Sequence, residues 1–210
     1  MKKVTKIFLE VVIIIVIILI TMFSIKYITI NKILNSQKSN MNIENYHIEY
    51  SIALNDEDAK NMEIYKSNEK EYMKTDTYRI LTNKTEKKTY FVNDINKTIS
   101  IISMEDNTNI SDGLNNIITE NLTENFLTKA KYVFTWKVNT EMKDNVECYH
   151  IKLKNSDEIW LDKNVMLEKE SIKHIDSNVN VQKIDKFEID NVQESDFELK
   201  DIEGYTYINQ

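Results

Sequence analysis

Residues Tyr46–Leu54 read YHIEYSIAL, a stretch in which Tyr46, Ile48, Tyr50, Ile52 and Leu54 fall on one face and His47, Glu49 and Ser51 on the other. Apolar residues recurring at every second position describe a half-buried antiparallel strand. Similar runs follow at short intervals over residues 61–66, 71–83, 88–93 and 98–104, separated by Asn, Asp, Glu and Lys clusters rather than by Gly or Pro. They form a meander. The period then changes: Leu114, Ile118, Leu122, Phe126 and Ala130 recur at four with Ile117 beside them, so residues 112–131 are expected to form one amphipathic helix, with Ser111 as a candidate cap. Strands resume over 132–138, 146–154, 157–162, 165–175 and 179–189, and a last short one ends at Ile208. The expected domain is therefore α+β, with about eleven strands in a strongly curved antiparallel sheet, an incomplete barrel closed by the amphipathic helix.

Upstream of this domain the chain changes character. Residues 7–25 read IFLEVVIIIVIILITMFSI, broken only by Glu10. At 1.5 Å per residue such a helix covers about 28 Å, close to the roughly 30 Å hydrocarbon core of a bilayer. Lys2, Lys3 and Lys6 precede the run, and no small-x-small cleavage site follows it, so an uncleaved signal anchor is expected rather than a removed leader. The expected organisation is a cytoplasmic tail over 1–6, a single transmembrane span over 7–30, a polar tether over 31–45 and an extracytoplasmic domain over 46–210. An alternative for the tether is that Ile28, Ile30, Ile33 and Leu34 continue the helix outward and dock on the domain.

Composition narrows the function classes. The chain carries 34 acidic and 27 basic residues, one Cys, two Gly and no Pro. One cysteine excludes a disulfide framework and a Cys-based zinc site, and the scarcity of glycine excludes phosphate-cradling loops. From Asn40 onward 21 basic residues face 33 acidic ones, so the domain has no electrostatic affinity for nucleic acid or for anionic lipid headgroups. No catalytic constellation emerges, and neither a metal nor another cofactor is expected. His47, His150 and His174 lie in separate strands without metal-ligand spacing. Cys148 and His150 share a strand face, yet no orienting partner or oxyanion donor accompanies them. Glu168 and Glu170 are expected on one face of their strand, as solvated surface.

The hairpin over residues 158–170, EIWLDKNVMLEKE, resembles the Trp-x-Asp-turn-x-x-Leu-x-Lys hairpin of the LolA/LolB-like lipoprotein-carrier superfamily. The run Phe187-Glu188-Ile189, Asn191-Val192, Asp196-Phe197 and Gly204-Tyr205 is similar to the C-terminal part of its Gram-positive members. The resemblance spans roughly residues 46–208 and implies a half-barrel whose concave face is closed by helices and, in carriers, holds acyl chains. Members are normally secreted or lipidated through a cysteine, and their first helix packs on the sheet; here the equivalent stretch reads mostly as membrane span. The resemblance implies a non-enzymatic binding module for a lipid or other hydrophobic ligand, lined by Leu114, Ile117, Ile118, Leu122, Phe126, Tyr132, Phe134 and Trp136, the last three sharing one strand face. The alternative is a regulatory module for an envelope protein partner, as in spore-germination members that bind a cortex-modifying amidase.

Overall fold

The computed structural model describes residues 2–40, 43–55, 57–103 and 126–209. Helix α1 (Lys2–Asn40) leads into a meander of six strands: β1 (Tyr46–Leu54), β2 (Lys60–Lys66), β3 (Lys70–Thr75), β4 (Tyr78–Asn83), β5 (Lys88–Asn93) and β6 (Thr98–Ser103). Helix α2 (Phe126–Thr135) follows, then β7 (Lys137–Lys143), β8 (Val146–Lys152), β9 (Glu158–Asp162), β10 (Glu168–Ile175) and β11 (Asn178–Ile189). A 3-10 turn (Glu194–Phe197) and β12 (Thr206–Asn209) complete the chain.

All twelve strands form one sheet in the order β12-β6-β5-β4-β3-β2-β1-β11-β10-β9-β8-β7. The first meander grows outward from β1 in one direction. The chain then crosses to the opposite edge at β7 and meanders back until β11 pairs with β1 along a nine-residue register, from Tyr46↔Ile189 to Leu54↔Asn180. This seam joins the two halves. β12 adds to β6 in parallel, the one departure from antiparallel pairing among the described strands, and the sheet is open and curved rather than closed on itself.

With no proline and two glycines, the hairpins need other residues that tolerate positive φ. The two-residue connection from β7 to β8 is Asp144-Asn145, with φ of 48° and 64°. Both values fit a type I′ turn, which usually takes Asn-Gly. The β4–β5 and β5–β6 loops repeat one device: Asn83 and Asn93 accept the backbone N–H of Glu86 and Asn96 through Oδ1, and Lys87 and Lys97 close the loops at φ of 54° and 52°. Between β3 and β4, Thr75 Oγ1 accepts the N–H of Tyr78 at 3.1 Å, which divides the expected single strand 71–83 into two.

The expected tether is corrected by α1, which stays helical through Asn40 and docks on the sheet. Ile30, Ile33 and Leu34 are buried in a cluster with Tyr132, Val133 and Trp136 of α2 and with Ile151, Ile159 and Leu161 of β8 and β9. Three such side chains contribute roughly 1.5–3 kcal/mol each on burial. Polar contacts fix its depth: Gln37 Nε2 and Asn40 Nδ2 both donate to the Met166 carbonyl, and Lys26 Nζ donates to the Val133 carbonyl. The first helix thus does pack on the sheet, as the resemblance implies, with its C-terminal part.

Two further expectations are corrected. Residues 132–135 are the end of α2 rather than the start of a strand, and only from Lys137 does the chain extend. The alternation of Tyr132, Phe134 and Trp136 concealed a helical pair, because Tyr132 and Trp136 at i and i+4 also share a face. Glu168 and Glu170 are split by a bulge: Glu168 lies opposite Leu161 on the helix side, while Glu170 lies opposite Trp160 on the reverse side.

Ile33→Ala should destabilise the full chain by about 2–4 kcal/mol in urea titrations in mild detergent, as cavity formation in a core demands. Ile175→Ala, at a position 54% exposed, should change stability by less than about 0.5 kcal/mol.

Candidate functional site

The helix-covered face has two unlike halves. Over β7–β10 the space between sheet and helices is filled by the Ile30, Ile33, Tyr132, Trp136, Ile151 and Leu161 cluster. Tyr132 and Trp136 stack with ring centroids 4.5 Å apart and are both buried. Over β1–β4 and β11 the same face presents Tyr46, Ile48, Tyr50, Ile64 and Ile184, ringed by the partly buried Ile52, Met62, Met73 and Phe187. The registers align these rows: Ile48 pairs with Ile64 and Phe187, and Ile64 with Met73. Two flexible thioethers among the flanking side chains give this half an adaptable apolar surface.

The candidate lining residues distribute unevenly. Leu114, Ile117, Ile118 and Leu122 lie outside the described residues, as does most of the expected helix 112–131. Phe126 opens α2. Tyr132 and Trp136 belong to the packed core. Phe134 sits on the opposite side of α2, 79% exposed, with its ring 5.6 Å from that of Phe23. Helix geometry explains the split, since a residue two positions along lies about 200° around the axis.

These contacts also orient α2. Phe23 meets Phe134, Lys26 reaches Val133 and Lys129 Nζ donates to Asn31 Oδ1 at 2.6 Å, so α2 runs antiparallel to α1. Its C-terminal end therefore lies beside the end of the apolar run 7–25. One helix among the described residues, α1, is long and apolar enough to cross a membrane.

The reverse face is polar and strapped. Phe197, Val192 and Leu199 of the C-terminal segment cover Tyr72 and Leu81. Arg79, the only arginine in the chain, locks this strap. Its Nε and Nη2 bind Asp94 at 3.0 and 2.5 Å, its Nη1 donates to the Lys200 carbonyl at 2.5 Å, and Tyr205 Oη donates to Asp94 at 2.8 Å. Burial alone would raise the Asp94 carboxyl, but the hydrogen bonds from Arg79 and Tyr205 outweigh it and hold the group below the usual carboxylate range. Sequence reasoning passed over this residue, although a lone arginine among 26 lysines was a visible signal. A cleft of about 480 Å³ between sheet and strap is lined by Tyr65, Tyr72, Lys74, Arg79 and Asp94 among others. It adjoins one of about 360 Å³ that includes Glu49, Glu63 and Asp185. Such charged walls do not suit an acyl chain.

Two titratable features are resolved by the geometry. Both ring nitrogens of His150 are engaged, Nδ1 by Glu141 at 3.1 Å and Nε2 by Glu158 at 2.6 Å. Burial, then the Asp162 charge, pushes the Cys148 thiol up. A raised thiol beside a fully engaged imidazole is the reverse of an activated Cys/His pair. Glu168, by contrast with its expected solvation, is buried on the helix side with Oε2 lacking a hydrogen-bond partner, and burial pushes its carboxyl up.

No family model and no curated protein matches the sequence. Comparison with solved structures gives likenesses at low identity. An uncharacterized conserved protein from Thermus thermophilus superposes with a TM-score of 0.50 at 8% identity, covering 86% of this chain and 98% of that one. MucB in complex with MucA(peri) gives 0.48 at 9% identity, over 82% of this chain and 60% of that one. The LolA superfamily protein NE2245 from Nitrosomonas europaea gives 0.33 at 10% identity, over 80% and 96%. At these identities the likeness is one of fold.

The two carboxylates make opposite pH predictions. Asp94 has a lowered folded value, so its contribution is complete above the ordinary 3.8 and is lost as pH falls through the lower folded value. Arg79→Lys, which loses the planar fork, should cost about 1–3 kcal/mol and make trypsin cleavage in the strap faster. Glu168 has a raised folded value, so stability is complete below the ordinary 4.5 and declines as pH rises towards the folded value. Glu168→Gln should remove that decline and leave the protein more stable than wild type in urea titrations at about pH 8.

Proposed function

We propose that this protein is a membrane-anchored, non-enzymatic binding module of the cell envelope, of LolA-like kind, that holds a lipid or other hydrophobic molecule beside the bilayer. The observation that carries this reading is the continuity of α1: one helix supplies both the apolar run of membrane-spanning length and the buried Ile30, Ile33 and Leu34 of the domain core. A half-barrel fastened this way stands at the bilayer surface and does not diffuse as a free carrier. The hairpin and C-terminal motifs that resemble the LolA/LolB-like superfamily support the same reading.

In this account the lysines at 2, 3 and 6 stay on the cytoplasmic side and the acidic domain faces outward. Phe134 and Phe23 meet at the level of the span's end, where their rings offer the bilayer an apolar contact. The ligand lies against the Ile48, Ile64 and Met73 half of the sheet, with Leu114, Ile117, Ile118 and Leu122 as its proposed further lining. Tyr132 and Trp136 wall the site off from the packed half.

A photo-crosslinking phospholipid in proteoliposomes of the full chain tests this. Adducts mapped by mass spectrometry should appear on Met62, Ile64 or Met73 as well as on residues 7–25. Adducts confined to the span would refute ligand binding and direct attention to a protein partner in the envelope.

A further inference from the structure

The reverse face carries two histidines in similar settings, and their carboxylates separate them chemically. His150 has its two glutamates on opposite ring nitrogens, so no single point can be reached by all three side chains. It lies flat on Trp160, ring centroids 4.2 Å apart, as a hydrogen-bonded structural group. His47 differs: Glu63 and Glu49 both approach the same nitrogen, Nε2, with carboxylate oxygens at 3.1 and 3.5 Å.

We propose that His47 Nε2, Glu49 and Glu63 form a divalent-metal site suited to Zn²⁺. Their donor atoms all lie within 4.8 Å of one another. In a tetrahedral centre with bonds of 2.0–2.1 Å, neighbouring ligand atoms are about 3.3 Å apart, a value the two observed nitrogen–oxygen distances straddle. One imidazole and two carboxylates are a borderline donor set that favours Zn²⁺ over Ca²⁺ or Mg²⁺ and leaves a fourth position for water.

The surroundings hold the ligands in place. His47 is 4% exposed, and its ring lies flat against Tyr65 with centroids 4.1 Å apart. Its other nitrogen, Nδ1, faces Glu188 Oε2 at 3.5 Å, an oxygen held by Asn191 Nδ2 at 2.9 Å and Lys186 Nζ at 3.1 Å and placed as an outer carboxylate to a metal-bound imidazole. Tyr65 Oη donates to Glu63 at 2.6 Å. Access exists, because Glu49 and Glu63 both line the 360 Å³ cleft.

The backbone register supplies a separate argument. Glu49 and Glu63 are directly opposed across β1 and β2, a like-charge pair that destabilises a sheet. The nearest lysines only partly offset it, Lys186 at 3.8 Å from Glu49 and Lys74 at 4.0 Å from Glu63. A divalent cation between the carboxylates turns this repulsion into attraction.

The test uses the full chain in detergent after EDTA treatment, titrated with ZnCl₂ by calorimetry and with Co²⁺ by visible absorption. The expected result is one equivalent of Zn²⁺ bound with release of protons, a rise in Tm, and Co²⁺ bands of tetrahedral intensity. Glu188→Gln should weaken binding about 10- to 100-fold, and His150→Gln should leave it unchanged. Glu49→Gln is the decisive variant, since this residue is half-exposed and lies directly opposite Glu63: it should raise the Tm of the metal-free protein while abolishing the further rise with Zn²⁺. Failure of the wild type to bind stoichiometric Zn²⁺, or binding that survives both His47→Gln and Glu49→Gln, would overturn the proposal.

Discussion

The structure depends on one helix with two unlike stretches. In the run 7–25 α1 is apolar on almost all sides and exposes its large side chains, Phe23 excepted, as a lipid-facing helix does, whereas Ile30, Ile33, Leu34 and Gln37 turn one stripe into the protein. Because the backbone is helical throughout, the position of the apolar run dictates the position of the sheet. Without α1 the cluster of Tyr132, Trp136, Ile151, Ile159 and Leu161 would lose its covering layer. The domain is therefore built onto this helix, not hung from it.

The sheet answers this with a division of labour between its two meanders. The β7–β11 half grips α1 and α2 through a filled core. The β1–β6 half keeps an apolar surface on the same side, while its reverse side is closed by the C-terminal strap. β1 and β11 join the halves, and β12 is carried by the strap to the far edge, so Arg79 and Asp94 tie the end of the chain to the middle of the first meander. Disturbance at that ion pair should loosen the strap before it reaches the helix-covered face.

Much of this was legible in the sequence, for definite physical reasons. Period-two alternation located β1 and β5 to the residue, although each strand buries side chains on both faces, Ile48 and His47 in β1 and Thr89 and Val92 in β5. The hairpin 158–170 announced itself through Trp160 and Asp162, whose carboxylate accepts the N–H of Asn164 at 2.7 Å and shapes the turn. Failures occurred where two periods coincide or where a turn lacks Gly and Pro. Tyr132-Val133-Phe134-Thr135-Trp136 satisfies a strand pattern, but burial of Val133 along with Tyr132 and Trp136 makes it a helix end. The break at Asp76 and Thr77 was hidden because a threonine hydroxyl makes the turn. The Glu168 side was unreadable without knowing of the bulge. The His47 group could not be seen at all, since Glu63 and Glu188 reach it across two strand pairings that only the register reveals.

If the apolar run and the docked stretch of α1 are one rod, residues 31–40 must be as stable as the sheet they cover. Hydrogen–deuterium exchange of the full chain in lipid nanodiscs reads this directly. The account predicts that amides from Asn31 to Asn40 exchange as slowly as those of β1 and β9. Rapid exchange of that segment beside a protected sheet would show a flexible tether and contradict the account.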